Sequence, residues 1–436
     1  MDPIIVVFVL LAMMFLLLGS GIWIGPALMA IGAVAIDVIA GRPAGASIST
    51  TAWSSSSSWM LTALPMFIWM GDILFHSKLS EDLFKGLAPL MGRLPGGLLH
   101  TNVLGCTLFG SVSGSSVATL TTVGKMTIPE LRKRNYPEHL LISSLAGPAT
   151  LGLMIPPSII MIVYGALTNE SIAAINIAGI IPGLILAAMF TAYVAIRAMT
   201  LKDYAPAAEA PVSLGEKLYG LRRLIPVVLL LVVVIGSMFA GIATATEAAA
   251  TGVLGALVLA WWQGTLSRET FMASLMSATR SSSMIALILV SAGSLALAMG
   301  FLGLPQMLAA WVQGLNLSPF WLLMGLLVLY TILGHFLDGI SCVALTIAIV
   351  EPMVRQAGID MIWFGIFIVL VVEMAQITPP VGFNLTVLQS MTGHDIFKIG
   401  WWSVPMHLVM LVMVFIMIAF PELATWLPRQ MIAVSG

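Results

Sequence analysis

The sequence predicts an all-α polytopic membrane protein made of two inverted-topology repeats. Three observations predict it. Residues of the set AVILMFWYC make up 59% of the 436 residues and charged residues only 8%, against about 25% charged in a soluble domain. Apolar runs recur along the whole chain, and many reach the roughly 20 residues that a bilayer-crossing helix needs. The chain also resembles itself at a shift of 223 residues. With 18 Lys and Arg and 19 Asp and Glu, a soluble globule of this length could not cover its surface. That excludes an ordinary cytosolic enzyme, a disordered chain and a nucleic-acid binder. The net charge of −1 offers no global field to attract an anionic partner.

The chain opens on MDPIIVVFVLLAMMFLLLG, with an acidic residue and no Lys or Arg before the apolar run. A cleavable signal wants a positive start, so residues 4 to about 19 are expected to be a retained first span. Uninterrupted apolar runs follow at 23–40, 59–76, 172–200, 223–242, 244–262, 281–301 and 397–420. Ser54–Ser58 reads as a loop or interfacial turn. Four further regions are apolar but interrupted: 96–128 by GSVSGSS, 139–168 by IPPS, 319–351 by GHFLDGIS and 361–391 by TPP. A Gly- and Ser-rich interruption midway through a long run suggests a re-entrant hairpin whose arms are each too short to cross. A Pro-Pro pair suggests a broken helix, since proline lacks a donor and clashes with the preceding turn. Irregular backbone at membrane depth survives only inside protein or beside a watery cavity. All four interruptions therefore point to function. Cys106 and Cys342 lie in apolar runs and are expected to be buried thiols rather than a disulfide. No His/Cys cluster suggests a metal centre.

At the shift of 223, Pro3 meets Pro226, Pro129 meets Pro352, Pro156-Pro157 meets Pro379-Pro380 and Pro182 meets Pro405. Gly32 also meets Gly255, and Arg132 meets Arg355. About 0.6 proline matches are expected by chance from 23 prolines. Each half reads as three spans, a hairpin, a Pro-broken helix and a last span. The hairpin returns to its own side, so each half makes five crossings, and an odd number inverts the second half. The expected units are residues 1–200, a linker at 201–222 containing Pro206 and Pro211, and residues 223–436. No room remains for a folded extramembrane domain.

Charge placement tests this topology independently. One face receives Lys78, Lys85, Arg93, Lys125, Arg132, Lys133, Arg134, Arg197, Lys202, Lys217, Arg222, Arg223, Arg268, Arg280 and Lys398. The other keeps Arg42, Arg355 and Arg429. This bias marks the first face as cytoplasmic and puts both termini outside.

By this reading no Lys or Arg lies deep in a span. The intramembrane ionisable candidates are Asp37, Asp72, His76, Glu247, His335, Asp338, Glu373 and His407. Those near span ends are expected to be solvated at the interface, and His407 to be a satisfied core residue. Asp338 and Glu373 differ, because each adjoins an interruption. The first hairpin tip offers Ser111, Ser113, Ser115, Ser116 and Thr119 around Gly110 and Gly114. The second offers Gly334, Asp338, Gly339 and Ser341. The first Pro break adds Thr150 and Ser158, and the second Gln376, Thr378 and Asn384. Carbonyls before the prolines lose their helical partners, and with hydroxyls they make an oxygen cage suited to a hard cation such as Na⁺. Helix N-termini starting at the tips suit a carboxylate. Together they favour cation–anion symport.

At these residues the chain resembles the large membrane subunit of tripartite ATP-independent periplasmic (TRAP) transporters. The matching stretches are GSVSGSSVATLTTVGKMTIPELRKRNY (110–136), AGPATLGLMIPPSIIMIVYG (146–165), LGHFLDGISCVALT (333–346) and EMAQITPPVGFNL (373–385). The likeness covers essentially the whole chain. It implies a bacterial inner-membrane, elevator-type transporter that takes up a small organic anion with Na⁺ as the coupling ion and no organic cofactor. It implies two partners, a periplasmic substrate-binding protein and a small membrane subunit of about four helices. The moving elements would be about 96–168 and 319–391, with the other helices as scaffold in lipid. Carried over, Ser113, Gly114, Ser115 and Ser116 with Ile155, Pro156 and Pro157 form one Na⁺ site. Gly334, Asp338, Gly339 and Ser341 with Thr378, Pro379 and Pro380 form the other. The substrate lies between the tips, within reach of Ser116, Thr119, Ser158, Ser341 and Asn384. Which anion is carried is left open, because the binding protein makes most of that selection.

Three other readings compete. A stand-alone Na⁺/dicarboxylate symporter shares hairpins and broken helices but needs no binding protein. A proton-pumping respiratory subunit wants mid-span lysines, which are missing here. An intramembrane protease could be suggested by Gly339-Ile340-Ser341-Cys342 with His335 nearby, but a catalytic pair needs geometry that spacing does not supply.

Overall fold

Helices end where the Gly, Ser and Pro interruptions fall. In the computed structural model, which describes residues 3–92, 94–200, 213–315 and 317–434, the elements are helices joined by turns, with no strand among the described residues. The first half begins with α1 (Pro3–Gly19) and α2 (Ile24–Val34), which runs on through a π turn at Ala35–Ile39. Next come α3 (Ala44–Ser56), a 3-10 turn at Trp59–Thr62, and α4 (Ala63–Phe75). The stretches 44–56 and 59–75 meet at a 57° bend at Ser57 and Ser58, because serine hydroxyls compete for backbone partners and weaken a helix. Ser54 to Ser56 are therefore helical, and only the last two serines of the expected loop form the break.

Helices α5 (Leu79–Met91), α6 (Leu99–Ser113) and α7 (Ser116–Lys133) follow, the last two forming the first hairpin. Then α8 (Glu138–Ala149), α9 (Leu151–Met154) and α10 (Ile159–Thr168) make the first broken helix, bent by 40°. Helices α11 (Ile172–Ala178) and α12 (Ile180–Thr200) close the half.

The second half holds α13 (Leu214–Phe239), α14 (Ala245–Trp262), α15 (Arg268–Phe301) and α16 (Leu304–Gly314). Its hairpin is α17 (Pro319–Gly334) and α18 (Gly339–Gln356), and its break separates α19 (Met361–Ala375) from α20 (Phe383–Thr392). Helices α21 (Ile396–Ala419) and α22 (Glu422–Val434) end the chain.

Six helices are long and apolar enough to cross a membrane, or eight if each bent pair is one span. Four shorter apolar helices accompany them, at Phe8–Gly19, Ile24–Ile39, Pro319–Gly334 and Met361–Ala375. Large apolar side chains face outward, Trp53, Trp59, Trp261, Trp262 and Trp401 each more than 70% exposed. Such a surface belongs in lipid or against a partner.

Several boundaries differ from expectation. The linker at 201–222 lies outside the described residues up to 212, as do Arg93 and Lys202, and from Leu214 it is helical. Ser213 starts that helix with a capping box to Glu216. The stretch 263–280 is not a loop, since Ser267 caps α15 and helix continues through Arg280. Helices α5, α16 and α22 were not anticipated: they are 11 to 13 residues long and amphipathic, below the span length that the apolar window detects.

The helices pack as two sets. In one, α15 lies along α2, α3 and α4, α14 along α4, and α13 along α5. In the other, α6 to α11 and α17 to α20 surround the hairpin tips and breaks, with α21 along α8 and α19 and α12 against α6. Helices α12 and α21, expected in the scaffold, thus pack on the hairpin-bearing set. After each break the chain crosses to the other half: α10 packs on α18 and α20 on α7. On the polar flank, Arg132 donates to both carboxylate oxygens of Glu138 at 2.6 and 3.0 Å.

Candidate ion and substrate site

The first hairpin turns at Gly114, whose φ of +60° is left-handed and therefore suits glycine. Space makes the same demand, since a Cβ there would lie 2.7 Å from the Pro157 carbonyl oxygen. Ser115 then caps α7, accepting from the Ala118 N–H. Three oxygens gather behind the turn. The Thr119 hydroxyl donates to the Ser115 carbonyl at 2.7 Å and shares a 2.9 Å bond with the Ser113 hydroxyl, which lies 3.2 Å from that carbonyl. Gly110 and Gly152 let the hairpin and α9 touch: a Cβ on Gly110 would lie 2.6 Å from the Gly152 Cα, and one on Gly152 2.6 Å from the Thr119 hydroxyl. The first tip and first break thus form one small, all-oxygen neighbourhood, the donor type a hard cation prefers.

The break itself runs from Ile155 to Ser158, with a cis bond between Pro156 and Pro157. The buried Ser158 N–H donates to the Asn176 side-chain oxygen at 2.9 Å, and its hydroxyl to the Leu153 carbonyl at 2.6 Å. The Ser158 N–H and O–H both hold the break, and the Thr119 O–H points into the oxygen cluster.

At the second tip Asp338 caps α18, accepting from the N–H groups of Ile340 at 3.1 Å and Ser341 at 3.4 Å and from the Ser341 hydroxyl. Gly334 sits where a Cβ would meet Ala375 at 2.6 Å, so this hairpin presses on the helix before the second break. That break contains the cis Pro379-Pro380 bond. At Gly382, φ +39°, a Cβ would lie 2.7 and 2.8 Å from the Thr378 and Gln376 carbonyl oxygens. These two carbonyls therefore converge on one point. The Gln376 amide ties the break to the tip, donating to the Leu337 carbonyl at 3.4 Å.

Two buried polar side chains flank the second break, Glu373 before it and Asn384 after it. Glu373 is 1% exposed, and neither carboxylate oxygen has a hydrogen bond of normal geometry, although Ser116 lies beside it. A Cβ on Gly339 would be 4.0 Å from one of those oxygens. Glu373 thus faces the first residues of both α7 and α18. Asn384 is 0% exposed, and both polar atoms of its side chain lack partners. Buried polar groups are nearly always paired, so each exception calls for a ligand or a functional reason.

Ser113, Gly114, Ser115 and Thr119 come together against Pro157 and Gly152. Gly334 and Gly339 lie against the end of α19, at Ala375 and Glu373, while Asp338 and Ser341 engage each other at the second tip. The expectation set Glu373 apart but gave it no place in the site. Gly152 and Asn176 were not among the expected residues, and Gln376 was expected at the second break without a place in either Na⁺ site. A lone carboxylate in an otherwise apolar 15-residue helix was the available signal for Glu373.

Asp338 and Ser341 also line a cavity of about 1220 Å³ between the second hairpin, the turn joining α1 to α2, and α15. Arg280, expected in a stretch between spans, lies on its wall. It stands 13 positions beyond the Ser267 cap, about 20 Å along the helix.

The sequence matches the family described as tripartite ATP-independent periplasmic transporter, DctM component, over residues 11–423. It is 31% identical to the C4-dicarboxylate TRAP transporter large permease protein DctM of Pseudomonas aeruginosa, over 88% of this chain and 89% of that one. It is 29% identical to the isethionate TRAP transporter permease protein DctMQ of Oleidesulfovibrio alaskensis, over 97% of this chain and 66% of that one. Its fold is similar to that of the YdaH transporter of Alcanivorax borkumensis, with a TM-score of 0.57 at 16% identity over 86% and 87% of the two chains.

Proposed function

The chain belongs to the DctM component of the tripartite ATP-independent periplasmic transporter family, and from that premise we propose that it carries out Na⁺-coupled uptake of a small organic anion by an elevator movement. Membership makes it a polytopic membrane component of a secondary transporter of organic acids that works with a binding protein, not an enzyme. In the reading proposed here, a periplasmic protein delivers the anion and a small membrane subunit braces the scaffold in the bacterial inner membrane, with both termini periplasmic. A relative whose name joins M and Q in one permease chain fits the second partner.

One observation carries the Na⁺ reading: the Ser113, Ser115 and Thr119 oxygens converge against the first break, where Gly114 closes on the Pro157 carbonyl. Hydroxyl and carbonyl oxygens without a sulfur or imidazole suit a hard cation. The second site is taken to be the Gln376 and Thr378 carbonyls with the Asp338-capped tip. The anion lies between the tips near Asn384, facing the N-terminal turns of α7 and α18.

The inverted repeat is supported by register. Helix α7 starts at Ser116 and α18 at Gly339, 223 positions on, and the two Pro-Pro breaks keep the same spacing. The bent α3–α4 pair corresponds to the continuous α15. Separate packing of the two helix sets supports an elevator, in which the hairpin set slides along α4, α5 and α15.

The test is uptake into proteoliposomes holding both membrane subunits, with the binding protein outside. Uptake that needs an inward Na⁺ gradient is the expected result; equal uptake with K⁺ replacing Na⁺ overturns the coupling. Labelling of single cysteines placed after Lys125 and after Glu351 should report opposite compartments. The same compartment for both would sink the inverted repeat.

A further inference from the structure

Among the described residues, four arginines answer carboxylates of this chain: Arg132 with Glu138, Arg134 with Glu130, Arg223 with Asp82, and Arg355 with Glu170 and Glu351. Arg280, like the exposed Arg197, Arg222, Arg268 and Arg429, has no such pair, and what sets it apart is its place. It makes no hydrogen bond or ion pair among the described residues, and its exposed side chain stands on α15 just before the apolar run 281–301, on the wall of the 1220 Å³ cavity. It is the one basic side chain among the described residues lining that cavity. Thr279, Ser281 and Ser283 continue a polar stripe beside it, while Trp23, Leu287 and Phe336 make apolar walls. The cavity's carboxylate, Asp338, is already occupied in capping α18 and accepting from the Ser341 hydroxyl.

A guanidinium stays charged under all physiological conditions. At the flank of a span, beside a cavity with apolar walls, such a charge is met by water or by an anion. Its planar fork matches a carboxylate or sulfonate with two parallel hydrogen bonds. A cavity larger than the about 300–1,000 Å³ usual for small-molecule sites leaves room for a small organic anion and its water. The opposite wall carries the Asp338–Ser341 tip, so an anion there lies one hairpin away from the proposed transport site.

We propose that Arg280 is an anion-binding residue in a vestibule adjoining the second hairpin, where it holds the carboxylate or sulfonate of the transported solute before or after it passes the tip. This rests on the transport reading above. It adds a fixed charge to the helix N-termini and the coupling cation that the transport reading sets around the substrate. Arg280 supplies one fixed positive charge on the substrate's route and selects for anions there.

The test uses the full chain with its small subunit in phosphatidylcholine vesicles. Ser283→Cys places a thiol about one turn from Arg280, while the native Cys106 and Cys342 are buried. Labelling rates are measured with the anionic sulfonatoethyl and the cationic trimethylammonioethyl methanethiosulfonates. Adding Arg280→Gln should lower the anionic-to-cationic rate ratio about tenfold, and Arg280→Lys should restore most of it. Excess succinate or isethionate should slow the anionic reagent only when residue 280 is basic. An unchanged ratio in Arg280→Gln overturns the proposal. So does a ratio that collapses when phosphatidylglycerol is added while neither organic anion has an effect, since Arg280 then holds a lipid phosphate. These rates need no Na⁺ gradient, so loss of Na⁺ dependence in uptake with the ratio intact strikes the coupling and not the vestibule.

Discussion

Gly114→Ala probes the first oxygen cluster directly. Two penalties add at this position. An alanine at φ +60° costs about 1–2 kcal/mol in the left-handed region. Its Cβ would also stand 2.7 Å from the Pro157 carbonyl oxygen, a backbone atom held in the break. Forcing a methyl into a packed site costs about 1–3 kcal/mol more, so the total is about 2–5 kcal/mol. Relief requires moving either the tip or Pro157 by several tenths of an ångström. Either movement separates the Pro157 carbonyl from the Ser113, Ser115 and Thr119 oxygens. A loss of about 1.4 kcal/mol in cation binding is tenfold in affinity, so the Na⁺ concentration for half-maximal uptake should rise at least about tenfold. Thermal unfolding in detergent should fall in parallel. Gly236→Ala is the control: that glycine lies inside α13 with nothing within 4 Å of a Cβ, and alanine there should stabilise by about 0.5–1 kcal/mol. Unaltered Na⁺ dependence and melting temperature in Gly114→Ala would refute the account of the turn.

Three further outcomes are expected. Asn384→Ala removes no hydrogen bond, because neither polar atom of the buried side chain has one; melting should shift by less than about 1 kcal/mol while uptake falls more than about tenfold, and large destabilisation with normal uptake would show a structural role. Pro156→Ala and Pro379→Ala restore a backbone donor within each break, and both should impair Na⁺-dependent uptake more than the folded yield; normal rates and Na⁺ affinity in both would defeat the assignment. At the polar flank, the Arg132 guanidinium holds the Glu138 carboxyl below its ordinary value of 4.5, assisted by His394. A depressed carboxylate stabilises the fold above its ordinary value, and that contribution is lost as the pH falls through the lowered one. The side chains are 40% and 34% exposed, which discounts the effect to about 0.5 kcal/mol. Glu138→Gln should therefore lower the melting temperature slightly at neutral pH, and the gap should close as the pH falls below the ordinary carboxylate range. A gap that widens on acidification would contradict it.

The hairpins and breaks were legible because their causes are local. Gly114 turns by a backbone conformation few other residues accept, Asp338 caps the helix that starts one residue later, and proline ends hydrogen bonding wherever it stands. The bend between α3 and α4 was only half legible. Its serine run was visible, but the corresponding TRSSSMIA stretch passes through α15 unbroken. Packing against α2, α3 and α4 decides that difference, and packing is not written in a local window. Helices α5 and α16 escaped notice for a related reason. They are short, and the polar residues on their outer faces break the apolar count, so a span-length window passes over both.

Partnership among the polar residues divides structure from function in a way that residue type does not. Thr119 and Ser158 carry the hydroxyls that made them substrate candidates. In the fold each hydroxyl is spent, one on the Ser115 carbonyl and one on the Leu153 carbonyl. Losing either would loosen a tip or a break before it affected an anion. Glu373 and Asn384 are just as deeply buried, and their side-chain polar atoms lack a partner of normal geometry, Glu373 having only Ser116 beside it. In an apolar interior an unpaired polar group costs about 1–3 kcal/mol, and more if charged, so the two that flank the second break stand where a bound species would offset a cost. Arg280 is separated from the other unpaired arginines by place: it is the one basic side chain among the described residues on the wall of the cavity that also carries Asp338 and Ser341. An unpaired charge becomes a candidate for the cargo only where the fold also gives the cargo room beside it.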